Sequence, residues 1–529
     1  MNYVVGSGPA AISAAVALVN RGARVTILDV GKTIEPQRQA VLARLAGQPP
    51  SEWSSADLEL LRGGDQKTRH GAIHSKMTYG SEYPYEDAAE PLQAAREQST
   101  FHYSQARGGL SNVWGASLLP YRAEDIADWP IRPADLAPHY RAVLEFMPST
   151  EIADELAEIL PVFKSSPQPL EPSRQAAEFL GDLRAHRPEL QRAGIRFGRS
   201  RMAVAAAGDA ERSACVYCGL CLYGCPYSLI YSTAQTLRQL IDSGRVTYLD
   251  RHRVERFEPK PGGVTIHARD LAANAERTFE AERVFVGAGV VPTAWLALRS
   301  LDAFDTPLEM LDSQYFIYPF FRLRRTPGVE SEALHSLAQA FLEIDDPAVS
   351  RHLVHLEIFA YSDFLKRALM ETPLRFLLRH RFFAEQMLGR LLVIQGFLHS
   401  ADSGRMSVVL RRDAQGRPLI HVEPKSSKRA LFVSLKSGIK LMANALALRG
   451  MPVVPAIQFA EPGRSYHSGG TFPMRAKPGR FETDTLGVLP GLDRVHLVDA
   501  SIFPSIPGTT ITLTVMANAH RIATQSLDS

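Results

Sequence analysis

Asn2-Tyr3-Val4-Val5-Gly6-Ser7-Gly8-Pro9-Ala10-Ala11-Ile12-Ser13-Ala14-Ala15 opens the chain and decides its fold. Four residues of strand pattern run into a turn with two glycines. A helix rich in Ala, Val and Leu follows from Ile12 to Asn20. Gly22 stops it, and Arg24 to Leu28 makes a second strand ending at Asp29. The turn reads G-x-G-x-x-A. Gly6 permits the tight turn, Gly8 lets backbone approach a pyrophosphate, and Ala11 allows close helix–strand packing. The free N–H groups at the helix start face the phosphates. Asp29, 21 residues past Gly8, stands where an acid bonds the adenosine ribose hydroxyls. Strand, turn, helix, strand and acid in this order predict a dinucleotide-binding unit. The motif alone leaves FAD and NAD both open.

The rest of the chain sets the bounds. Its 529 residues exceed one ordinary core, so two domains are expected. Hydrophobic residues at 45% and charged residues at 22% fit a soluble globular protein. A net charge of +3 gives no reason to expect nucleic acid. No secretory leader pattern precedes the first strand, and no apolar run is long enough to span a bilayer. A cytoplasmic enzyme is the simplest expectation.

Three further segments carry a family pattern. Ala106-Arg107-Gly108-Gly109-Leu110-Ser111-Asn112-Val113-Trp114-Gly115 is a glycine-rich loop beside an Arg, which can approach and neutralise a phosphate or be a plain turn. Arg283 to Val286 is a buried strand ending in Gly287-Ala288-Gly289. Arg494 to Ser501 reads as a strand and an acidic turn, followed by a long helix through Thr514 to Ala519. Together these resemble the glucose–methanol–choline (GMC) family of FAD-dependent oxidoreductases. Trp129-Pro130-Ile131 with Asp135-Leu136 and Tyr140 resembles its gluconate- and sugar-dehydrogenating branch.

The resemblance implies an α/β fold, α+β overall: a Rossmann-type FAD-binding domain interrupted by a substrate domain with an antiparallel sheet. It implies an FAD domain drawn from 1–35, 85–135, 210–300 and 465–529, and a substrate domain from 136–209 and 301–464. Residues 36–84 read as a helical insertion. Met406 to Leu410 and Leu419 to Val422 flank Asp413-Ala414-Gln415-Gly416, a hairpin signal expected in the substrate-domain sheet. The implied FAD contacts are Gly6, Gly8, Ala11, Asp29, Arg107, Gly108, Gly109, Asn112, Gly115, Gly289, Asp499 and Ala500. His102, beside the glycine loop, is read as an ordinary residue rather than a covalent anchor.

In Tyr466-His467-Ser468-Gly469-Gly470-Thr471-Phe472-Pro473-Met474 the resemblance makes His467 the catalytic base. Removing an alcohol proton while hydride leaves carbon needs a group that titrates near neutrality and reaches the hydroxyl. The family places a second His or Asn just before the last helix. Here Thr510 holds that position and Ile511 the following Pro. Thr510 can donate a hydrogen bond but is no base. Alternatively Thr509 and Thr510 cap the helix.

Cys215-Val216-Tyr217-Cys218-Gly219-Leu220-Cys221-Leu222-Tyr223-Gly224-Cys225-Pro226 reads C-x2-C-x2-C-x3-C-P, the spacing of a ferredoxin run, and holds every cysteine of the chain. Cys215, Cys218 and Cys221 could carry a 3Fe-4S cluster with Cys225 spare, or all four a 4Fe-4S cluster. An iron–sulfur cluster is the leading expectation, with zinc or buried thiols as the alternatives. An iron–sulfur cluster would relay electrons singly from flavin to a protein or quinone acceptor. Residues 363–392 interleave basic and large apolar side chains. They read as ordinary amphipathic helices covering the substrate domain, or as a membrane-surface contact. The leading functional expectation is an FAD-dependent dehydrogenase of a sugar, polyol or related alcohol. The alternatives are a flavoenzyme of redox-neutral or reductive chemistry, and a flavin/iron–sulfur electron-transfer protein.

Overall fold

The computed structural model describes residues 1–63, 77–85, 92, 95, 101–166, 168–209 and 212–528. Part of the expected insertion (64–76) and most of 86–100 lie outside the described residues.

The opening motif builds the centre. Strand β1 (Asn2–Val5), helix α1 (Pro9–Asn20) and strand β2 (Val25–Leu28) form a parallel unit. β1 lies in the middle of a five-stranded parallel sheet. Arg283–Val286 and then Val495–Leu497 flank it on one side, β2 and Val246–Leu249 on the other. Every residue of β1 and β2 is buried, as a sheet covered on both faces requires. Each large apolar side chain so buried contributes about 2 kcal/mol. The turn accepts only glycine at its start. Gly6 has φ 95°, and a Cβ there would lie 2.8 Å from the Gly287 carbonyl oxygen. Gly287 in turn packs on Ala11, where an added Cβ would meet the Ala11 nitrogen at 2.6 Å.

The second layer is a mostly antiparallel seven-stranded sheet. Its main path runs Gly450–Pro452, Tyr315–Arg322, Leu391–Phe397, Val354–Phe359, Ala340–Ile344 and Ile195–Arg199, with Gln458–Phe459 paired to Tyr315–Arg322. Alternation sorts its residues. Phe316, Tyr318, Phe320, Leu356, Ile358 and Ile394 pack in one core with residues of the helices Arg174–Ala185 and Lys428–Ala443. The opposite face carries Ile317, Gln395 and Glu357 in cross-strand register. These face the cavity described below.

The expected hairpin forms, as Arg405–Arg412 paired with Pro418–Lys425. It does not join the seven-stranded sheet. It belongs to a separate four-stranded sheet with Leu308–Asp312 and Ser468–Gly469, and so supports the segment just after His467. Helices Pro36–Ala46 and Ser55–Arg62 share a small core with Leu220 and Tyr223 of the cysteine loop. Among the described residues no helix is long and apolar enough to cross a membrane.

Candidate active site

Two adjoining cavities run from the carboxyl end of the parallel sheet to the second sheet. The first, of about 230 Å³, is lined by Gly6, Gly8, Asp29, Gly109, Gly289 and Asp499 among others. It fits the dinucleotide cradle that the turn calls for. A Cβ built on Gly8 or on Gly289 would meet nothing within 4 Å, so open space lies beside both backbones. Asp29 accepts hydrogen bonds from the Ser7 hydroxyl and, at 3.0 Å, from Tyr248. Burial raises its carboxyl to about 6 against those bonds. Asp499 accepts from Gly289 N–H at 2.9 Å, the Thr293 hydroxyl at 2.6 Å and Ser501 N–H at 3.0 Å, which fixes the turn before Ala500. Ala500 also lines this cavity.

Five expected contacts, Ala11, Arg107, Gly108, Asn112 and Gly115, do not line this cavity. The Arg107 guanidinium lies over the Tyr248 ring at 5.0 Å and 4.0 Å from Asp250. Gly108 packs against Ser232 and Ala234. Asn112 braces the loop: its amide donates to the Arg107 and Gly109 carbonyls, and its oxygen accepts from Ser232. Ala11 serves the helix–sheet contact. His102 lines the cavity and stacks on Tyr466, with ring centroids 5.4 Å apart.

The second cavity, of about 360 Å³, shares Pro9, Leu110, Tyr466, Ile511 and Thr512 with the first. His467, Thr510, Glu357, Gln395, Trp114 and Gly115 are among its walls. His467 stacks on Phe397 at 4.9 Å, and its Nδ1 is buried without a hydrogen-bond partner. Burial pushes the imidazole down, to about 4, so it stands neutral and able to accept a proton.

The turn that aims His467 is anchored from a distance. Buried Asp312 accepts from the hydroxyls of Ser465 at 2.6 Å and Ser468 at 2.8 Å, and Ser465 accepts from His467 N–H at 3.0 Å. Tyr466 between them has φ 61°, a left-handed conformation that an aromatic residue adopts at a cost of about 1–2 kcal/mol. Thr510 does not cap the last helix. That helix runs Thr512–Gln525 without a side-chain cap. The Thr510 oxygen instead accepts from Leu119 N–H at 2.8 Å, which leaves its own proton to donate.

Sequence reading missed Glu357 in the wall of this cavity and the buried His355–Glu343 pair beside it. His355 Nδ1 lies 2.7 Å from Glu343, and its Nε2 lies 3.9 Å from Glu357, all three buried. Burial alone would lower His355, but Glu343 and then Glu357 hold it up, at about 9. The signal was present in the apolar strand Val354–Phe359, where His355 and Glu357 alternate onto one face.

The cysteine run, expected as a candidate metal or cluster site, folds as a single loop. Cys215, Cys218, Cys221 and Cys225 share one loop, with Gly219 and Gly224 at positive φ, and all are half-buried free thiols. Burial raises Cys215, and it lifts Cys218 to about 12 and Cys225 to about 11, which keeps these sulfurs protonated. Among the described residues no three His, Cys, Asp or Glu side chains are placed to hold one metal ion. The spacing gathers the four thiols in one loop.

Residues 400–519 match the family model of GMC oxidoreductases. The whole chain shares its fold with the crystal structure of pyridoxine 4-oxidase from Mesorbium loti, at 14% identity and a TM-score of 0.61, covering 100% of this chain and 99% of that one. It also resembles formate oxidase, at 14% identity and a TM-score of 0.58, covering 99% and 97%. No curated protein sequence matches the chain.

Proposed function

We propose that this chain, a GMC oxidoreductase by its C-terminal domain, oxidises a hydroxyl group of a small polar molecule such as a sugar, polyol or related alcohol. FAD, which this family uses and whose cradle the first cavity fits, supplies the hydride acceptor when bound. The observation that carries the reading is the unpartnered Nδ1 of His467 in the wall of the second cavity.

His467 takes the hydroxyl proton, and its lowered pKa keeps it ready at neutral pH. Thr510 donates to the substrate oxygen while Leu119 N–H fixes its rotamer. Glu357 and Gln395, paired across neighbouring strands, accept from and donate to a second hydroxyl. His467 and Thr510 as the working pair are a proposal drawn from these placements. So is the division into an FAD domain and a substrate domain. An electron relay through the four cysteines rests on their spacing alone, and no step is routed through them.

The test is a panel of reductants added without air to the flavin-loaded enzyme. A hydroxyl compound should bleach the flavin. Bleaching by a nicotinamide donor, with none by any sugar, polyol or alcohol, would overturn the reading in favour of reductive chemistry.

A further inference from the structure

We propose that the segment Asp363–Leu388 attaches the protein to an anionic lipid surface. It forms three short helices, Asp363–Met370, Arg375–Leu378 and Arg381–Leu388. Their inner side chains close a small core of Val329, Leu378, Ala384 and Leu388. The segment is therefore anchored, and its outward side chains are not needed to hold it. Those outward side chains are large and apolar. Phe376 is 57% exposed, Leu377 46%, Phe382 66% and Phe383 51%. Such a cluster left in water is expensive unless something covers it.

Charge identifies the cover. From Leu374 to Phe383 there are three arginines and no acid. Arg375 and Arg379 lie over the Phe376 ring at 5.0 and 5.9 Å. Among the described residues neither joins an ion pair. Arg381 meets only Glu385, one turn along its own helix. Aromatic side chains flanked by Arg375 and Arg379, which no ion pair among the described residues neutralises, fit the boundary between headgroups and acyl chains, with phenyl rings inserted and guanidinium groups on phosphates.

A second exposed apolar face makes the contrast. The helix Lys428–Ala443 shows Leu431, Phe432, Ile439 and Met442. Two of its four cations are neutralised, Arg429 by Asp402 and Lys440 by Asp346, while Lys436 donates to the Ala348 carbonyl. Half of its positive charge is thus already neutralised within the protein. The two faces also differ in position. Ser362, Phe364 and Leu365, at the start of the proposed attachment segment, line the second cavity. Lipid surface and substrate cavity then share a wall, which suits an amphiphilic substrate or electron acceptor held in the bilayer.

The test is sedimentation of the flavin-loaded protein with phosphatidylcholine vesicles, with and without phosphatidylglycerol. The wild type should pellet with the anionic vesicles and be released by salt. Combined Arg375→Glu, Arg379→Glu and Arg381→Glu should weaken binding about a hundredfold or more. Combined Phe376→Ser, Phe382→Ser and Phe383→Ser should abolish pelleting. Phe432→Ser, on the other face, should pellet as wild type. All variants should keep wild-type turnover of a soluble substrate, so failure here is distinct from failure of the proposed activity. Wild type left in the supernatant with both vesicle types would overturn the proposal. So would equal pelleting with neutral and anionic vesicles. A concentration-dependent dimer lost in the phenylalanine variant would assign the face to a second copy instead.

Discussion

The His467 turn and the cysteine loop each announce chemistry in the sequence, and they fold to opposite ends. Around His467, a carboxylate more than 150 positions away in the chain ties down two serines on either side of the imidazole. Tyr466 is held in a strained conformation, and a ring nitrogen is left buried without a partner. Around Cys218, four thiols share a loop, among the described residues no three ligand side chains are placed to hold one metal ion, and burial pushes the Cys218 thiol up to about 12. Spacing alone brings groups near each other. A working site also needs distant residues that fix where each group points.

The largest effect expected from this contrast is at His467 itself. His467→Ala should lower turnover about 10²–10⁴-fold, the usual contribution of a positioned base, with flavin content unchanged in the absorption spectrum. Turnover at wild-type rates would break the contrast outright. Next comes the anchor. Asp312→Ala strands two buried serine hydroxyls, so it should cost about 2–4 kcal/mol of stability by denaturant unfolding. It should also lower kcat more than it raises KM, since it moves the base rather than the substrate. A thermal loss with kcat intact would reduce Asp312 to a purely structural role.

The cavity wall gives a smaller effect. Glu357→Gln replaces an acceptor oxygen with an amide donor and should raise KM about ten- to a hundredfold with a lesser change in kcat. An unchanged KM would remove Glu357 from substrate recognition. The smallest effect is at the other pole of the comparison. Cys218→Ser should leave the rate of flavin reduction by substrate unchanged, since no thiol takes part in that half-reaction. A slower reduction would place the loop in the chemistry. Iron and acid-labile sulfide in protein purified without air would show that the loop rearranges on loading.

How much of this was legible in sequence varies with the range of the forces involved. The parallel sheet was readable because its signals are local: glycines that only a tight turn needs, a small residue at Ala11, and buried strands of apolar residues. His467 and Thr510 lay in segments with a family pattern. Adjacency to a glycine loop says nothing about where the long Arg107 side chain turns, and it lies over the Tyr248 ring. The hairpin was visible, but its partner strands were not, since pairing across some hundred residues leaves no local mark. Glu357 and Asp312 were missed for the same reason: each is an acid in an apolar strand, and its role depends on which face meets the cavity or the turn.

The pH dependence of a single turnover tests base catalysis by His467 most directly. Its imidazole must be neutral to accept a proton, and burial has moved it from 6.5 down to about 4. The same depression should make the fold lose stability as pH falls across that interval, because the unfolded chain takes the proton first. Flavin reduction by substrate should therefore hold constant through the neutral range and fall as pH drops through about 4. In His467→Ala the rate should be slow and that fall absent. The same acid limb in the variant, at a similar rate, would contradict the assignment of His467 as the base.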